Sequence, residues 1–228
     1  MKRTDGRSQT DVRPITAKTG VIKKADGSAY FKIGNTTAYA AVYGPRNLFP
    51  RFLQDPKKGI LRCNYNMLPF SASDRVRPGP SRRSREISMI TEKALLPVLD
   101  LDAYPNAVVD VFIELTETDA GSRCAGICAA AMALADAGLI MKDLVAAVSV
   151  GKVGNDLVVD LDGVEEHYNE NESTDIPVAM IPSTHEITLL QCDGIIAKEE
   201  LFKAIDMVKP AMQKIAEVQR NALKEKYR

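Results

Sequence analysis

The feature that most constrains the fold is the junction Asp119-Ala120-Gly121-Ser122-Arg123, where a strand-like segment meets a helix-like one. Residues 108–115 are rich in Val, Ile and Leu and are typical of a largely buried strand. Residues 123–137 are almost all small and apolar, which indicates an internal helix that ends at Gly138. The junction therefore predicts a core helix whose N-terminus follows a buried strand.

The same junction is suited to holding an anion. The first N–H groups of a helix have no partner within the helix, and the helix dipole is positive at that end. Ser122 and Arg123 add a hydroxyl and a guanidinium. The alternative interpretation is an ordinary helix cap without a ligand.

A second cationic feature lies upstream, in a stretch rich in Pro and Gly. It contains Arg75, Arg77, Arg82, Arg83 and Arg85, with no Asp or Glu between them. Because the whole chain has zero formal net charge, any affinity for a polyanion must come from such a local patch. A solvated loop is the alternative interpretation. Together with the junction, the cluster predicts phosphate chemistry on a polyanion.

The pattern of apolar residues and turns predicts an α+β fold with the element order β-β-β-β-α-β-α-β-β-β-β-α. We expect a first hairpin of residues 20–24 and 29–33 about Asp26-Gly27. We expect a final amphipathic helix over 198–227 with a kink at Pro210. No linker is evident, so residues 1–228 are predicted to form a single domain.

The composition also limits the compartment and the class of site. The four cysteines form no C-x-x-C motif and only two histidines are present, which argues against zinc and fits a reducing, cytoplasmic compartment. The N-terminus has no apolar core of a signal peptide, and the longest apolar stretch, 124–135, is too short to span a membrane. We therefore expect no membrane association.

Seven short motifs are spread along nearly the whole chain. They are Asp5-Gly6-Arg7, Arg13-Pro14, Ala25-Asp26-Gly27-Ser28-Ala29, Ala40-Ala41-Val42-Tyr43-Gly44-Pro45, Pro80-Ser81-Arg82-Arg83, Asp119-Ala120-Gly121-Ser122-Arg123 and Ala133-Leu134-Ala135-Asp136-Ala137-Gly138. In this order they resemble the RNase PH family, closest to the catalytic ring subunit of the archaeal exosome.

The resemblance implies an RNase PH-like fold (ribosomal protein S5 domain 2-like), with mixed sheets packed against helices, in a subunit of a six-membered ring. It implies a related, catalytically poor sister subunit in a hetero-hexamer, with RNA-binding cap proteins on top. It also implies phosphorolysis, in which inorganic phosphate as co-substrate attacks the last phosphodiester at an RNA 3′ end and releases a nucleoside diphosphate.

The resemblance assigns roles to particular residues. The phosphate site falls on Gly121, Ser122 and Arg123, as the chemistry of the junction also suggests. The RNA-backbone arginines fall on Arg82 and Arg83. A further RNA-facing basic position matches Arg62, whereas a nearby family arginine is Asn64 here.

A carboxylate is also needed, to ligate a divalent ion such as Mg²⁺ or to deliver a proton to the leaving oxygen. Asp175, expected just before a strand over 176–181, matches the second acidic position of the family. The first position, six residues earlier, is Asn169, in a loop that looks longer than usual. If the extra residues follow the turn, Glu166 takes the catalytic and metal-binding position, with Glu165 beside it. Which of Glu165, Glu166 and Asn169 faces the site stays open.

Other polar residues are given smaller roles. Asp110, in the strand before the junction, is as consistent with a structural hydrogen bond as with catalysis. His167 and His185 lie in polar segments and are assigned no role. Asp175 could also be an ordinary residue at the entry to a strand.

Three functions remain open. The first is a phosphorolytic 3′→5′ exoribonuclease in a hetero-hexameric exosome ring. The second is a ring member that binds RNA without cleaving it, which the altered acidic loop favours. The third is a homo-hexameric RNase PH that trims tRNA 3′ ends.

Overall fold

The computed structural model describes Arg3, residues 5–168 and residues 173–226. Within these ranges the strands and helices follow the predicted order, with one short helix added between the seventh and eighth strands. The strands are Ile15–Thr19 (β1), Gly27–Ile33 (β2), Thr36–Asn47 (β3), Ile60–Met67 (β4), Ala107–Glu117 (β5), Ala146–Val153 (β6), Asp156–Val159 (β7), Ser173–Met180 (β8) and Ile187–Leu190 (β9). The α-helices are Arg82–Leu95 (α1), Ser122–Asp136 (α2), Gly163–Glu166 (α3) and Lys198–Glu225 (α4).

The strands form two sheets, which confirms the α+β prediction. The first has the order β1-β2-β3-β5-β4 and is mixed, because β4 runs parallel to β5 while its other pairs are antiparallel. The second has the order β7-β6-β8-β9 and is antiparallel. No helix in the described ranges has both the length and the apolar character needed to cross a membrane.

Helix α2 lies at the centre of the core. It contacts β2 and β3 of the first sheet, β6 of the second, and helices α1 and α4. Its small side chains allow this close packing on all sides, and most of its residues are buried. Most buried apolar residues of both sheets belong to one large cluster that includes α2, and Val153, Val158 and Leu161 form a second, small one.

Two of the sequence motifs meet at the C-terminal end of α2. A Cβ atom on Gly27 would lie 2.4 Å from the Ala133 carbonyl oxygen, so only glycine fits there. Asp136 accepts hydrogen bonds from the Ser28 N–H at 2.9 Å and from Lys226 Nζ at 2.7 Å. These contacts fix the direction of α2 relative to the first sheet.

Two local predictions were wrong. Residues 20–24 are a loop, and β1 is the earlier segment Ile15–Thr19, which pairs with β2 across a connection of residues 20–26. Asp175 lies inside β8 rather than before a strand. Helix α4 contains Pro210, as predicted, and the kink expected there stays a prediction.

Candidate active site

One cleft contains most of the residues predicted to be functional. It has a volume of about 500 Å³ and lies between the N-terminus of α2, the start of α1, the short helix α3 and strand β8. The predicted residues that line it are Gly121, Ser122, Arg123, Arg83, Glu166 and Asp175. Residues 118–123 therefore meet Gly163, Glu166, His167, Asp175 and Pro177, which are far away in the sequence.

The phosphate-binding wall is formed by the turn into α2. Ala120 and Gly121 both have left-handed backbone, with φ of 57° and 62°, and Ala120 takes up this less favourable conformation without being a glycine. No described side chain caps the N-terminus of α2. The first N–H groups of the helix are therefore available to an anion in the cleft.

Arg123 is held by a residue that we did not predict from the sequence. Its Nη1 donates a hydrogen bond to Gln191 Oε1, just beyond β9. Gln191 in turn approaches Glu86 on α1, with 3.4 Å between Nε2 and Oε1. These contacts orient the Arg123 guanidinium at the wall of the cleft.

The arginine cluster contributes one of its members to the cleft. Ser81 caps α1 by accepting a hydrogen bond from the Ser84 N–H at 3.0 Å, so the arginines begin the first turn. Arg83 lines the cleft, whereas Arg82 is exposed beside it and does not. Neither guanidinium forms an ion pair with a carboxylate of the described residues. Both charges are therefore available to a polyanion.

Arg62 does not reach the cleft. It lies opposite Asp110 in the β4–β5 pairing and donates to both carboxylate oxygens, at 2.7 and 2.9 Å. The bond to Asp110 raises the pKa of Arg62 above its ordinary value. Asp110 thus has the structural hydrogen-bonding role that we considered, and an RNA contact by Arg62 would have to lie on the outer face of the first sheet.

The acidic wall combines Glu166 at the end of α3 with Asp175 in β8. Burial is the main cause that raises the pKa of Asp175 to about 7, and the negative charge of Glu166 acts in the same direction. Arg123 and the neighbouring Ser149 hydroxyl, which is buried without a well-formed hydrogen bond, only partly oppose this. Asp175 is therefore able to hold a proton near neutral pH.

The structure separates Glu165 from Glu166. Glu165 is 2% exposed and accepts two hydrogen bonds from Arg3, at 2.8 and 2.7 Å, while its Oε2 also accepts from the Asp162 N–H. Glu166 is the next residue and points to the other side, into the cleft. Asn169, the third candidate, lies outside the described residues.

Several supporting residues were not predicted to lie at the site. Arg13 is buried and donates to both carboxylate oxygens of Asp160, at 3.0 and 2.7 Å, and to the Asp119 carbonyl. Burial alone would lower the pKa of Arg13, but the bonds and charge of Asp160 raise it above its ordinary value. His167, which we assigned no role, lines the cleft, and its Nδ1 lies 2.7 Å from the Gly163 carbonyl oxygen. Arg7 also donates to Asp160 Oδ2, at 3.2 Å, so the motif residues Arg7 and Arg13 are the sequence signal for a buried support behind the cleft.

Comparison with known proteins identifies the class. The chain matches the family described as "3′ exoribonuclease family, domain 1" over residues 11–139 and "3′ exoribonuclease family, domain 2" over residues 143–209. These matches cover most of the chain, so the protein belongs to the RNase PH family of 3′ exoribonucleases.

Individual relatives cover nearly all of the chain. It is 50% identical over 226 residues to the exosome complex component Rrp41 of Pyrococcus furiosus, which covers 99% of this chain and 89% of the relative. It is 48% identical to the protein of the same name from Methanopyrus kandleri, covering 99% of this chain and 93% of the relative. The structure of rice Rrp46 matches with a TM-score of 0.85 and 23% identity over 97% of this chain and 100% of that one, which supports the fold.

Proposed function

We propose that this protein is a phosphate-dependent 3′→5′ exoribonuclease that releases nucleoside diphosphates from RNA 3′ ends. The observation that carries the proposal is the single cleft that joins the uncapped α2 N-terminus to Arg83, Arg123 and a pair of carboxylates. The names of the relatives support a role as a component of an exosome complex. The proposed assembly is a hetero-hexameric ring with a sister subunit and RNA-binding cap proteins, in the cytoplasm.

The reaction brings two anions together, so the cleft must offset their repulsion. In the proposed arrangement the N–H groups of Gly121, Ser122 and Arg123, with the Ser122 hydroxyl and the Arg123 guanidinium, hold inorganic phosphate. Arg83 and the adjacent Arg82 hold the phosphodiester at the RNA 3′ end. Arg62, on the outer face, would contact RNA farther from the cleft. Holding both reactants in place supplies much of the rate enhancement expected for phosphoryl chemistry.

The bond changes follow from this arrangement. An oxygen of hydrogen phosphate attacks the phosphorus of the last phosphodiester, and the bond from that phosphorus to the 3′ oxygen of the preceding nucleotide breaks. Protonated Asp175 donates its proton to the leaving 3′ oxygen, and the proton lost by the attacking phosphate restores Asp175. The products are a shortened RNA and a nucleoside diphosphate, so the reaction is a transfer to phosphate rather than a hydrolysis.

The acidic pair also suits Mg²⁺. Mg²⁺ is commonly bound by one or two carboxylates together with substrate phosphate oxygens and water. Glu166 and Asp175 lie beside each other and would provide two such carboxylates, Asp175 only in its ionised form and thus as an alternative to its role as proton donor. No larger cluster of metal-ligating side chains occurs in the described part of the chain. When bound there, the ion would offset negative charge on the two phosphate groups.

A second candidate is a ring subunit that binds RNA without degrading it. The presence of Glu166 in the cleft favours it, because the resemblance implies Asp at the first acidic position of active members. If Glu166 takes that position, its additional methylene can displace the carboxylate by about 1 Å and cost on the order of 10²-fold in rate. The arginines would then still hold RNA.

One experiment separates these functions. The purified protein, alone and in its native complex, is incubated with 5′-labelled poly(A), Mg²⁺ and increasing phosphate. ADP release that depends on phosphate supports the proposed enzyme. RNA binding without ADP release by the complex would overturn it in favour of the non-catalytic subunit. An active homo-hexamer without the sister subunit would instead favour the RNase PH that trims tRNA.

A further inference from the structure

The two walls of the cleft are joined by one side chain, that of Asp119. Its Oδ1 accepts a hydrogen bond of 2.9 Å from the Gly163 N–H, the first amide of α3. Asp119 itself belongs to the turn that precedes Gly121. It therefore links the turn that forms the phosphate site to the helix that carries Glu166, across 44 residues of sequence.

Asp119 completes the cap of α3. The Asp162 side chain accepts hydrogen bonds from the Val164 and Glu165 N–H groups, both at 2.9 Å. The remaining amide of the first turn, that of Gly163, is taken by Asp119. A helix of four residues has little stability of its own, so its position depends on such contacts.

The surroundings hold Asp119 in one position. Its Oδ2 accepts from Asn35 Nδ2 at 3.1 Å, its N–H donates to Thr36 Oγ1 at 2.9 Å, and Thr36 Oγ1 donates to the Ala120 carbonyl at 2.7 Å. The Asp119 carbonyl accepts from buried Arg13. The side chain that reaches α3 is therefore anchored to β3 and to the N-terminal segment.

The absence of a side chain at Gly163 is separate evidence for the contact between Asp119 and α3. A Cβ atom at Gly163 would lie 2.6 Å from Asp119 Oδ1, closer than such atoms pack. Gly163 has no left-handed backbone that would itself require glycine. The close approach to Asp119 is thus the reason that the structure gives for glycine at this position.

We propose that Asp119 is a positioning residue that sets the distance between the bound phosphate and Glu166. It does so without contacting the reacting atoms, by fixing the first turn of α3 against the phosphate-binding turn. This inference rests on the proposed function for its kinetic consequence, while its structural consequence is independent of catalysis.

Steady-state kinetics and RNA binding test the kinetic consequence. Asp119→Ala should lower kcat roughly 10- to 100-fold, the scale expected for a displacement of about 1 Å, while the Kd for RNA changes less than about threefold. Asp119→Asn should keep most of kcat, because the new amide oxygen can still accept from the Gly163 N–H. The new NH₂ group faces Asn35, which can turn its own amide and accept with its oxygen. Asp206→Ala, which removes an exposed aspartate paired with Lys209 on α4, is the matched control and should have no effect.

A double-mutant cycle tests the contact itself. Gly163→Ala should lower kcat, because the methyl group displaces the Asp119 carboxylate. Combined with Asp119→Ala it should cause little further loss, because the clash is then absent. Additive losses from the two substitutions, or equal kcat values for Asp119→Ala and wild type, would overturn the proposal.

Hydrogen exchange gives a readout that needs no activity. Asp119→Ala should accelerate exchange in a peptide covering residues 161–168, with exchange in α2 and α4 unchanged. If the wild type proves to have no phosphorolytic activity, the proposed function fails, and this measurement alone decides the role of Asp119. Unchanged exchange at residues 161–168 would then refute it.

Discussion

The two walls of the cleft are built in different ways. The phosphate-binding wall consists of consecutive residues at the start of a 15-residue buried helix, α2. The acidic wall consists of Glu166 on a four-residue helix and Asp175 on a strand of the second sheet. The first wall and Asp175 are therefore positioned by the core itself, whereas Glu166 depends on the contacts that α3 makes with the N-terminal segment and with Asp119. Activity should therefore be most sensitive to small structural changes at the acidic wall.

The largest effect is expected from the acidic wall. Asp175→Asn should lower the rate of ADP release by ~10³-fold or more, because the amide can neither donate a carboxyl proton nor, in the alternative role, supply an anionic metal ligand. Phosphate-dependent ADP release measures the rate, and size-exclusion chromatography checks that assembly is retained. An unchanged rate would remove Asp175 from the mechanism.

The same substitution should also change the pH dependence of stability. Because the folded-state pKa of Asp175 is about 7 against an ordinary value of 3.8, folded protein holds a proton there that unfolded protein has lost. Stability should therefore fall as pH rises from about 4 to about 7, by at most ~4 kcal/mol. Urea unfolding with a metal chelator should show this slope in the wild type and not in Asp175→Asn. Equal slopes would contradict the assigned pKa.

Loss of the buried Arg3–Glu165 ion pair, which holds the helix that carries Glu166, should greatly lower the stability of the protein. Arg3→Ala removes both hydrogen bonds that Arg3 donates to the buried Glu165 carboxylate and leaves the more distant Arg7 guanidinium, at 3.9 Å, so it should cost ~3–5 kcal/mol of unfolding free energy. Arg3→Ala with Glu165→Gln should recover part of this loss, because no buried charge is then unpaired. Urea unfolding measures both. A loss below ~1 kcal/mol for Arg3→Ala would mean that this support contributes little.

The phosphate-binding wall should respond through substrate affinity. Arg123→Ala should raise the KM for phosphate by roughly 100-fold, with a much smaller change in the Kd for RNA. Gln191→Ala should have a smaller effect, because it removes the group that orients Arg123 and leaves the charge in place. Steady-state kinetics at varied phosphate measure both values. A greater loss of RNA binding than of phosphate affinity would reverse the assigned roles.

Substitutions in the arginine cluster should have the smallest effect, and it should be on the affinity for RNA. Arg82→Ala with Arg83→Ala should weaken RNA binding and reduce its salt dependence by roughly 0.7 in the log–log slope for each lost phosphate contact. Tested singly, Arg83→Ala should exceed Arg82→Ala, because only Arg83 lines the cleft. Fluorescence anisotropy at several salt concentrations gives the slopes. A larger effect from Arg82 would place the RNA path outside the cleft.

The same contrast explains how much could be predicted from the sequence. The position of Gly121, Ser122 and Arg123 at the start of a core helix was predicted because these residues are contiguous and the strand and helix patterns beside them are strong. The choice between Glu165 and Glu166 could not be made, because it depends on which one meets Arg3, 162 residues away in the sequence.

Local errors have a similar origin. The segment 20–24 resembled a hairpin strand because Val21 and Ile22 precede Asp26-Gly27, but Gly20 turns the chain with a φ of 67° and the paired strand ends at Thr19. The RNA contact of Arg62 stays a prediction, but its bidentate bond to Asp110 was missed because it is visible only once β4 and β5 are paired. The periodicity of apolar residues predicts where a strand or helix forms. The pairing of strands in the folded protein determines which residues their side chains contact.

The most direct test follows the oxygen atoms of the phosphate. The complex is incubated with poly(A) and fully ¹⁸O-labelled orthophosphate, and the released nucleotides are analysed by mass spectrometry. If orthophosphate in this cleft attacks the RNA end, the product is ADP that retains all of the labelled oxygens. Unlabelled AMP as the product, formed at the same rate without phosphate, would show that water is the nucleophile and would contradict the account.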